Sequence, residues 1–436
     1  MSTPRLWTLL LAVCIGGGVT MAAPALADCN PKVGTVITMQ NWQQYKDCFS
    51  DGVQTFFEGS GFWKMPQDVE MHVGTPHHWK FPQPFVADEE KYGGQTRLVK
   101  LPDARYRLEN YVVGFPFPNP SGPEKGTEIA ANVTYRFQSF IYAGFPDNGS
   151  AAPFYTKDRF GNWNTETVDY LYRQLAYNWD PAVPRVSPQA AGAWYTEWLM
   201  VETPEQSRYT ADLTIFWQDN LKEEANYVFI PALRRSLRLS TSARCAPLLG
   251  SDMTHDDQRV GWNGGVGMFT GKFLRTQNLL TMDNMNLKVM GKYPQNYDGM
   301  LGWMTPSWGD WEVRPVWVID VRRIPSLRPG YCYGKRVMYI DKQYYQTMAE
   351  DLYDSNMKLW KVQFVGLAPG MIDGKWEELG QGGIIEIYWD IQNDHVSYVT
   401  SVGQQGIPFV SGTMVKAQYN NIPKYSTPGG LMQLMR

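Results

Sequence analysis

Histidine is nearly missing, with five in 436 residues. Chemistry that leans on imidazole, whether metal ligation or proton transfer, has little to draw on. A dominant charge is missing too. Forty Lys and Arg stand against 43 Asp and Glu, a net charge of -3. No basic excess points to nucleic acid, and no acidic block points to a solvating tail. The G-x-S-x-G elbow, the P-loop, the H-E-x-x-H pair and the dinucleotide glycine fingerprint are absent. So are C-x-x-C and C-x-x-C-H, which removes the usual redox motif and covalent haem attachment. Beyond the first residues no apolar run reaches the ~18 needed to span a bilayer.

What is present begins with an export signal. Arg5 is the one charge ahead of an apolar run from Leu6 to Ile15. Glycines and small residues follow, up to Ala25-Leu26-Ala27, an A-x-A cleavage signature. Residues 1–27 are therefore expected to be removed, leaving residues 28–436 as one domain in the periplasm. Cys14 goes with the signal, and Cys29, Cys48, Cys245 and Cys332 remain. Four cysteines in an oxidising compartment read as two disulfides. Three pairings are open, and joining nearest neighbours, Cys29 to Cys48 and Cys245 to Cys332, is the expectation.

Aromatics are in excess at 14%, with 17 Trp, 25 Tyr and 19 Phe. Trp42, Tyr45, Phe49, Val53, Phe56 and Phe57 recur at helical spacing over residues 41–57, with Gly59 and Gly61 to end the helix. Period two then dominates. Residues 131–143 put Val133, Tyr135, Phe137 and Ile141 on one face and Thr134, Arg136 and Gln138 on the other. Similar strands are expected at 193–201, 213–217, 227–230, 312–321, 335–340, 348–353, 358–365 and 384–391. Together they predict a large antiparallel sheet. Asp354-Ser355-Asn356 is a hairpin turn. Residues 274–289 are predicted as a second helix and 293–310 as a long loop.

Candidate chemistry is thin. His72, His77 and His78 lie near Glu70, but Pro-flanked neighbours lack ligand spacing. His255 sits among Asp252, Asp256 and Asp257 without the calcium-loop pattern. His395 follows Asp394 in an apparent hairpin turn. The run Gly261 to Gly267 is glycine-rich without the lysine of a phosphate cradle, and reads as a flexible loop. Glu223-Glu224 and Glu377-Glu378 are carboxylate neighbours, with nothing to bring them across a cleft. No metal, cofactor or catalytic residue is expected. Trp and Tyr on an open sheet face would line a groove for an apolar ligand; equally, such rings are ordinary core.

Four segments stand out as a set. The first is Gly114-Phe115-Pro116-Phe117-Pro118-Asn119-Pro120, followed by Gly126-Thr127-Glu128 and Asn132. The second is Tyr227 to Arg235, a strand ending in paired arginines. The third is Gly250-Ser251-Asp252 with Asp256-Asp257 and Met268 to Gly271. The fourth runs Val316 to Asp320, Lys335 to Asp341, Asp351 to Asp354 and Leu359 to Val362. In this order over residues 36 to 420 they resemble DUF1329, an exported bacterial family catalogued as a domain of unknown function. Departures are Arg314-Pro315, where the family has His-Arg, Ala131, where it has Trp, and a poor match over 274–310.

The resemblance implies a β-dominated α+β fold like that of the Lol-system lipoprotein carriers. There a strongly curved antiparallel sheet forms an incomplete barrel, with helices on the concave side around an apolar cavity. It implies a non-enzymatic periplasmic carrier of a lipid or other hydrophobic molecule. It also implies work with a transporter of the resistance–nodulation–division type or an outer-membrane protein. On this reading Phe115 and Phe117 stand at the cavity mouth. Trp194, Trp198, Trp217, Trp317 and Trp360 line or back the sheet, and Arg234 and Arg235 face a polar head group. Two rivals stand beside it: a structural or assembly protein of the cell envelope, and a hydrolase with an unrecognised site.

Overall fold

The computed structural model describes residues 29–240, 244–290 and 302–434. The expected export signal lies outside them, as does the first half, 293–301, of the loop expected at 293–310. The helix expected over 41–57 is two pieces, a 3-10 segment Trp42–Cys48 and helix α1 (Asp51–Glu58). Ser50 divides them: its hydroxyl accepts the Val53 N–H at 3.1 Å, an N-cap. Gly59, at φ 71°, ends α1 in the left-handed conformation that glycine adopts without strain. Strands β1 (Val36–Ile37) and β2 (Met71–His72) form one small ribbon. Helix α2 (Gln83–Tyr92) precedes a second ribbon, β3 (Arg97–Lys100) and β4 (Tyr106–Glu109). Helix α3 (Lys125–Thr134) follows.

The remaining strands build one sheet of 15. The chain first lays down β5 (Ile141–Gly144), β6 (Ala152–Asp158), β7 (Trp163–Gln174), β8 (Ala193–Thr203), β9 (Ala211–Trp217), β10 (Ala225–Ile230) and β11 (Arg235–Arg238). It then resumes with β12 (Phe269–Thr281), β13 (Glu312–Arg323), β14 (Tyr333–Asp341) and β15 (Thr347–Asp354). The last are β16 (Leu359–Ile372), β17 (Trp376–Asp390), β18 (His395–Thr400) and β19 (Val410–Ser411). The order is β11-β10-β9-β8-β7-β6-β18-β17-β16-β15-β14-β13-β12, antiparallel throughout, with β5 joining β7 to β19. Two meanders therefore meet at a seam, β6 against β18. The first ends at one edge of the sheet and the second starts at the other. The segment between β11 and β12 must cross from edge to edge.

That crossing shows how far the sheet curls. Strands β8 and β14 stand seven places apart in the order. In a flat sheet that is roughly 33 Å, at about 4.8 Å per strand. Yet the Gly261 carbonyl accepts from Arg336 of β14 at 3.0 Å, and Asn263 donates to Glu197 of β8 at 2.8 Å. Two residues of backbone span at most about 7 Å. The sheet bends round the crossing segment as an unclosed barrel, since β11 and β12 are not paired with each other.

Neighbouring residues of a strand point to opposite faces, and Glu350 and Asp351 identify them. Glu350 faces the hollow and accepts from Arg336 at 3.0 Å. Asp351 faces outward and accepts the Gly52 N–H of α1 at 3.0 Å. The N-terminal segment thus covers the convex face, where Phe56 packs on Trp389 at 5.3 Å. Helix α3 lies on the concave side: Ile129 and Val133 cluster with Ile319, Met338 and Trp262.

Two sequence expectations are corrected here. Residues 131–143 are not one strand; they are the end of α3, a connector and β5. Helix α3 is buried nearly all round, so it shows no polar face from which a helical period is read. Residues 274–289 are not a helix. Strand β12 continues to Thr281, paired with β13 to its end, and only Leu287–Met290 is helical. As an edge strand it alternates between exposed and covered side chains, and its leucines fell at helical spacing by coincidence. The expected turn at Asp354 is present: its carboxylate accepts the Asn356 and Lys358 N–H groups, each at 2.9 Å.

Candidate functional site

The crossing segment enters the hollow at Arg244, buried between Glu224 and Asp256. Cys245 is bonded to Cys332, just ahead of β14, and Cys29 to Cys48. Asp257 is the centre of the crossing. Its carboxylate accepts from Thr254 Oγ1 and Tyr333 Oη, each at 2.8 Å, and from Arg336 at 2.6 Å. Next come three residues in the left-handed region: Arg259 at φ 58°, Val260 at 63° and Gly261 at 83°. For a β-branched valine this is a strained backbone. Such strain costs about 1–3 kcal/mol per residue and persists only where the surroundings impose it. Here the Gly261 N–H is held by the Asp257 carbonyl at 2.9 Å and by Glu386 at 3.0 Å. A side chain at Gly261 would strike Gln363 and Glu350. The glycine-rich run is therefore a buried, fixed turn, and the expectation of a flexible loop is corrected.

Between this turn and the seam lies a cavity of about 120 Å³. Phe154 of β6, Leu199 of β8 and Val399 of β18 wall it from the sheet, and Met253 and Val260 from the crossing segment. Phe409 closes another side. Arg136, Arg259 and Glu386 give it a polar end. Burial pushes the Glu386 carboxyl up to about 7, although hydrogen bonds from Tyr388 and the Gly261 N–H pull the other way. Burial, with the Arg259 charge beside it, lowers Arg136 to about 10.

One cluster has the residue types of a hydrolytic triad without its geometry. His395 Nδ1 lies 2.6 Å from Asp252 Oδ2, and Ser397 Oγ donates to that same oxygen at 2.6 Å. Serine and histidine both address the aspartate, so no base faces the serine hydroxyl. His395 opens β18 directly after the expected hairpin turn, paired across it with Asp390. His77 Nδ1 lies against Glu312 at 2.5 Å and His72 against Glu70 at 3.2 Å. Among the described residues no group of three or more His, Cys, Asp or Glu is arranged to hold a metal ion.

A family model described as a protein of unknown function, DUF1329, matches residues 36–413. The chain belongs to the DUF1329 family. No curated protein matches it. Among solved structures it is similar to a domain from Vibrio parahaemolyticus named for outer membrane lipoprotein sorting. That match has 15% identity and a TM-score of 0.45, covering 68% of this chain and 97% of that one. A DUF1329 family protein from Desulfovibrio piger matches at 14% identity and a TM-score of 0.45, covering 69% and 98%. A LolA superfamily protein from Nitrosomonas europaea matches at 14% and 0.37, covering 64% and 92%.

Two stretches that carry the DUF1329 resemblance meet in space. Asn132 of α3 accepts the Phe117 N–H at 2.9 Å and donates to the Phe117 carbonyl at 2.6 Å, clasping the loop. Phe115 packs on Phe85 at 5.3 Å and on Tyr345 at 4.8 Å. The aromatic residues singled out in the sequence are spread over several regions, and the walls of the 120 Å³ cavity are other side chains. Trp194 stacks on Tyr135 at 4.2 Å inside the hollow. Trp198 is buried in the cluster with Phe145 and Tyr425, and Trp217 is half-buried against that cluster under Lys222. Trp317 lies beneath Lys125 of α3, and Trp360 leans on Tyr333 and donates to Asp390. Arg234 and Arg235 are exposed at the β10–β11 turn, away from the cavity. Sequence reasoning missed Arg136, Arg259 and Glu386 as a group, because they come from three distant segments. The one available signal was Gly261, a glycine followed by Trp-Asn-Gly-Gly.

Proposed function

We propose that this DUF1329 protein is a periplasmic carrier whose mature chain, residues 28–436, acts as one domain. It shelters a hydrophobic molecule between the sheet seam and the crossing segment. The observation that carries this reading is the cavity, with Phe154, Leu199, Met253, Val399 and Phe409 on its walls. Each methylene removed from water there contributes about 0.8 kcal/mol. The export signature and two cystine bridges support an oxidising compartment. The family resemblance supplies the partners of the proposal, a transporter of the resistance–nodulation–division type or an outer-membrane protein. Release requires the crossing segment to yield, since it forms one wall.

The test is organic extraction of protein purified from its own periplasm. A lipid or other hydrophobic molecule recovered near one per chain is the expected result. An extract with no hydrophobic molecule overturns the carrier reading.

A further inference from the structure

Arg136 and Arg259 line the cavity and are each more than nine-tenths buried, at 8% and 7% exposure. Their donors go to neutral groups. Arg136 donates to the Val133 carbonyl at 3.1 Å and to the Arg259 carbonyl. Arg259 donates to the Thr134 carbonyl and to Gln138 Oε1, each at 3.3 Å. Arg259 Nε is buried with no hydrogen-bond partner. Among the described residues neither guanidinium belongs to an ion pair. Several other buried arginines do: Arg244 holds Glu224 and Asp256, Arg314 holds Asp283 and Asp341, and Arg336 holds Asp257 and Glu350, while Arg173, away from the cavity lining, donates to the Phe140 carbonyl. Among the described residues the two nearby carboxyls, Glu386 and Glu197, form no ion pair with either guanidinium and are engaged elsewhere. Burial pushes Glu386 up to about 7. Burial also raises Glu197, although the Arg259 charge and hydrogen bonds from Asn263 at 2.8 Å and Tyr170 at 3.0 Å pull the other way. Arg259 lies 4.4 Å from the Tyr195 ring centroid, and that ring and Glu197 favour its charge, whereas burial beside Arg259 disfavours that of Arg136; a buried cation without a paired anion is unfavourable. An anion entering the cavity would meet both arginines, and a planar carboxylate suits a guanidinium edge in a space this small.

We propose that the cargo is a single-chain amphiphile with a carboxylate head, its tail among Phe154, Leu199 and Phe409 and its head at Arg136 and Arg259. This rests on the carrier reading above. It replaces Arg234 and Arg235 as the expected head-group contacts with two residues inside the hollow.

The test is calorimetric titration of the full mature chain, stripped of co-purified lipid on a hydrophobic resin. Dodecanoate, dodecanol, dodecylamine and monododecyl phosphate are compared at pH 7.5, below their micelle concentrations. Dodecanoate is expected to bind at least tenfold more tightly than dodecanol, with no binding of the amine. In Arg259→Gln, checked for folding by circular dichroism, the acid-over-alcohol preference is expected to shrink to about threefold or less. The comparison among ligands on the unaltered protein needs no variant and stands if Arg259→Gln does not fold. Equal binding of acid and alcohol overturns the carboxylate head and leaves the carrier reading standing. Tighter binding of the phosphate overturns the choice of head. Binding of none of the four overturns both readings.

Discussion

Arg336 Nη2 donates to Asp257 Oδ1 at 2.6 Å, and neither side chain is more than 1% exposed. This pair fixes the middle of the crossing segment to β14. Removing one partner leaves a buried charge uncompensated, which costs about 3–5 kcal/mol. Arg336→Met is expected to lower the urea midpoint by that amount of stability. Adding Asp257→Leu is expected to restore part of it, because a buried pair exchanged for apolar groups is often near neutral. A double variant no more stable than the single one contradicts this.

Gly126 lets α3 lie directly on the edge of β12. A methyl group there would overlap the backbone at Gly271 and Phe273. Gly126→Ala is expected to destabilise the chain by about 1–3 kcal/mol through overpacking. Thermal unfolding checks it, and an unchanged midpoint would mean that the helix has room to move away.

Asn132 clasps Phe117 by both backbone groups. Asn132→Ala leaves two backbone groups without their partner, and about 1–3 kcal/mol is expected to be lost. Amide exchange should quicken at Phe117 and stay unchanged at Phe364 of β16. Equal change at both sites would point to global destabilisation instead of a released loop.

Much of the sheet was legible because its strands alternate: β13 to β17 follow Val316, Val337, Leu352, Val362 and Ile385 as period two dictates. The pairing of the cystines agrees with the nearest-neighbour expectation. Helix α3 was not legible, since a helix surrounded by protein has no polar stripe to announce it. The polar end of the cavity was not legible either. Arg136 and Arg259 are 123 residues apart and meet only because the chain crosses the hollow. That crossing follows from strand order, which periodicity does not encode.

Four carboxyls in the interior share a direction of shift. Burial raises Glu350 to about 8, and Glu386, Asp351 and Asp283 to about 7. In the unfolded chain each titrates near 4, as carboxyls ordinarily do (about 3.9 to 4.3). A raised folded value means that their contribution is whole below about pH 4 and is lost as pH rises through about 7 to 8. His395, raised by its hydrogen bond to Asp252, acts in the same direction. The urea midpoint is expected to fall between about pH 5 and pH 8, and Glu386→Gln should flatten the fall. A midpoint that rises over that range contradicts the assignment.

The most direct measurement is a native mass spectrum of the protein purified from its own cells beside that of Leu199→Trp, which fills the cavity from β8. The unaltered chain is expected to carry a bound mass that is lost on collisional activation, and the variant to fly bare. The same adduct on both chains, or on neither, would contradict a cargo held at this place.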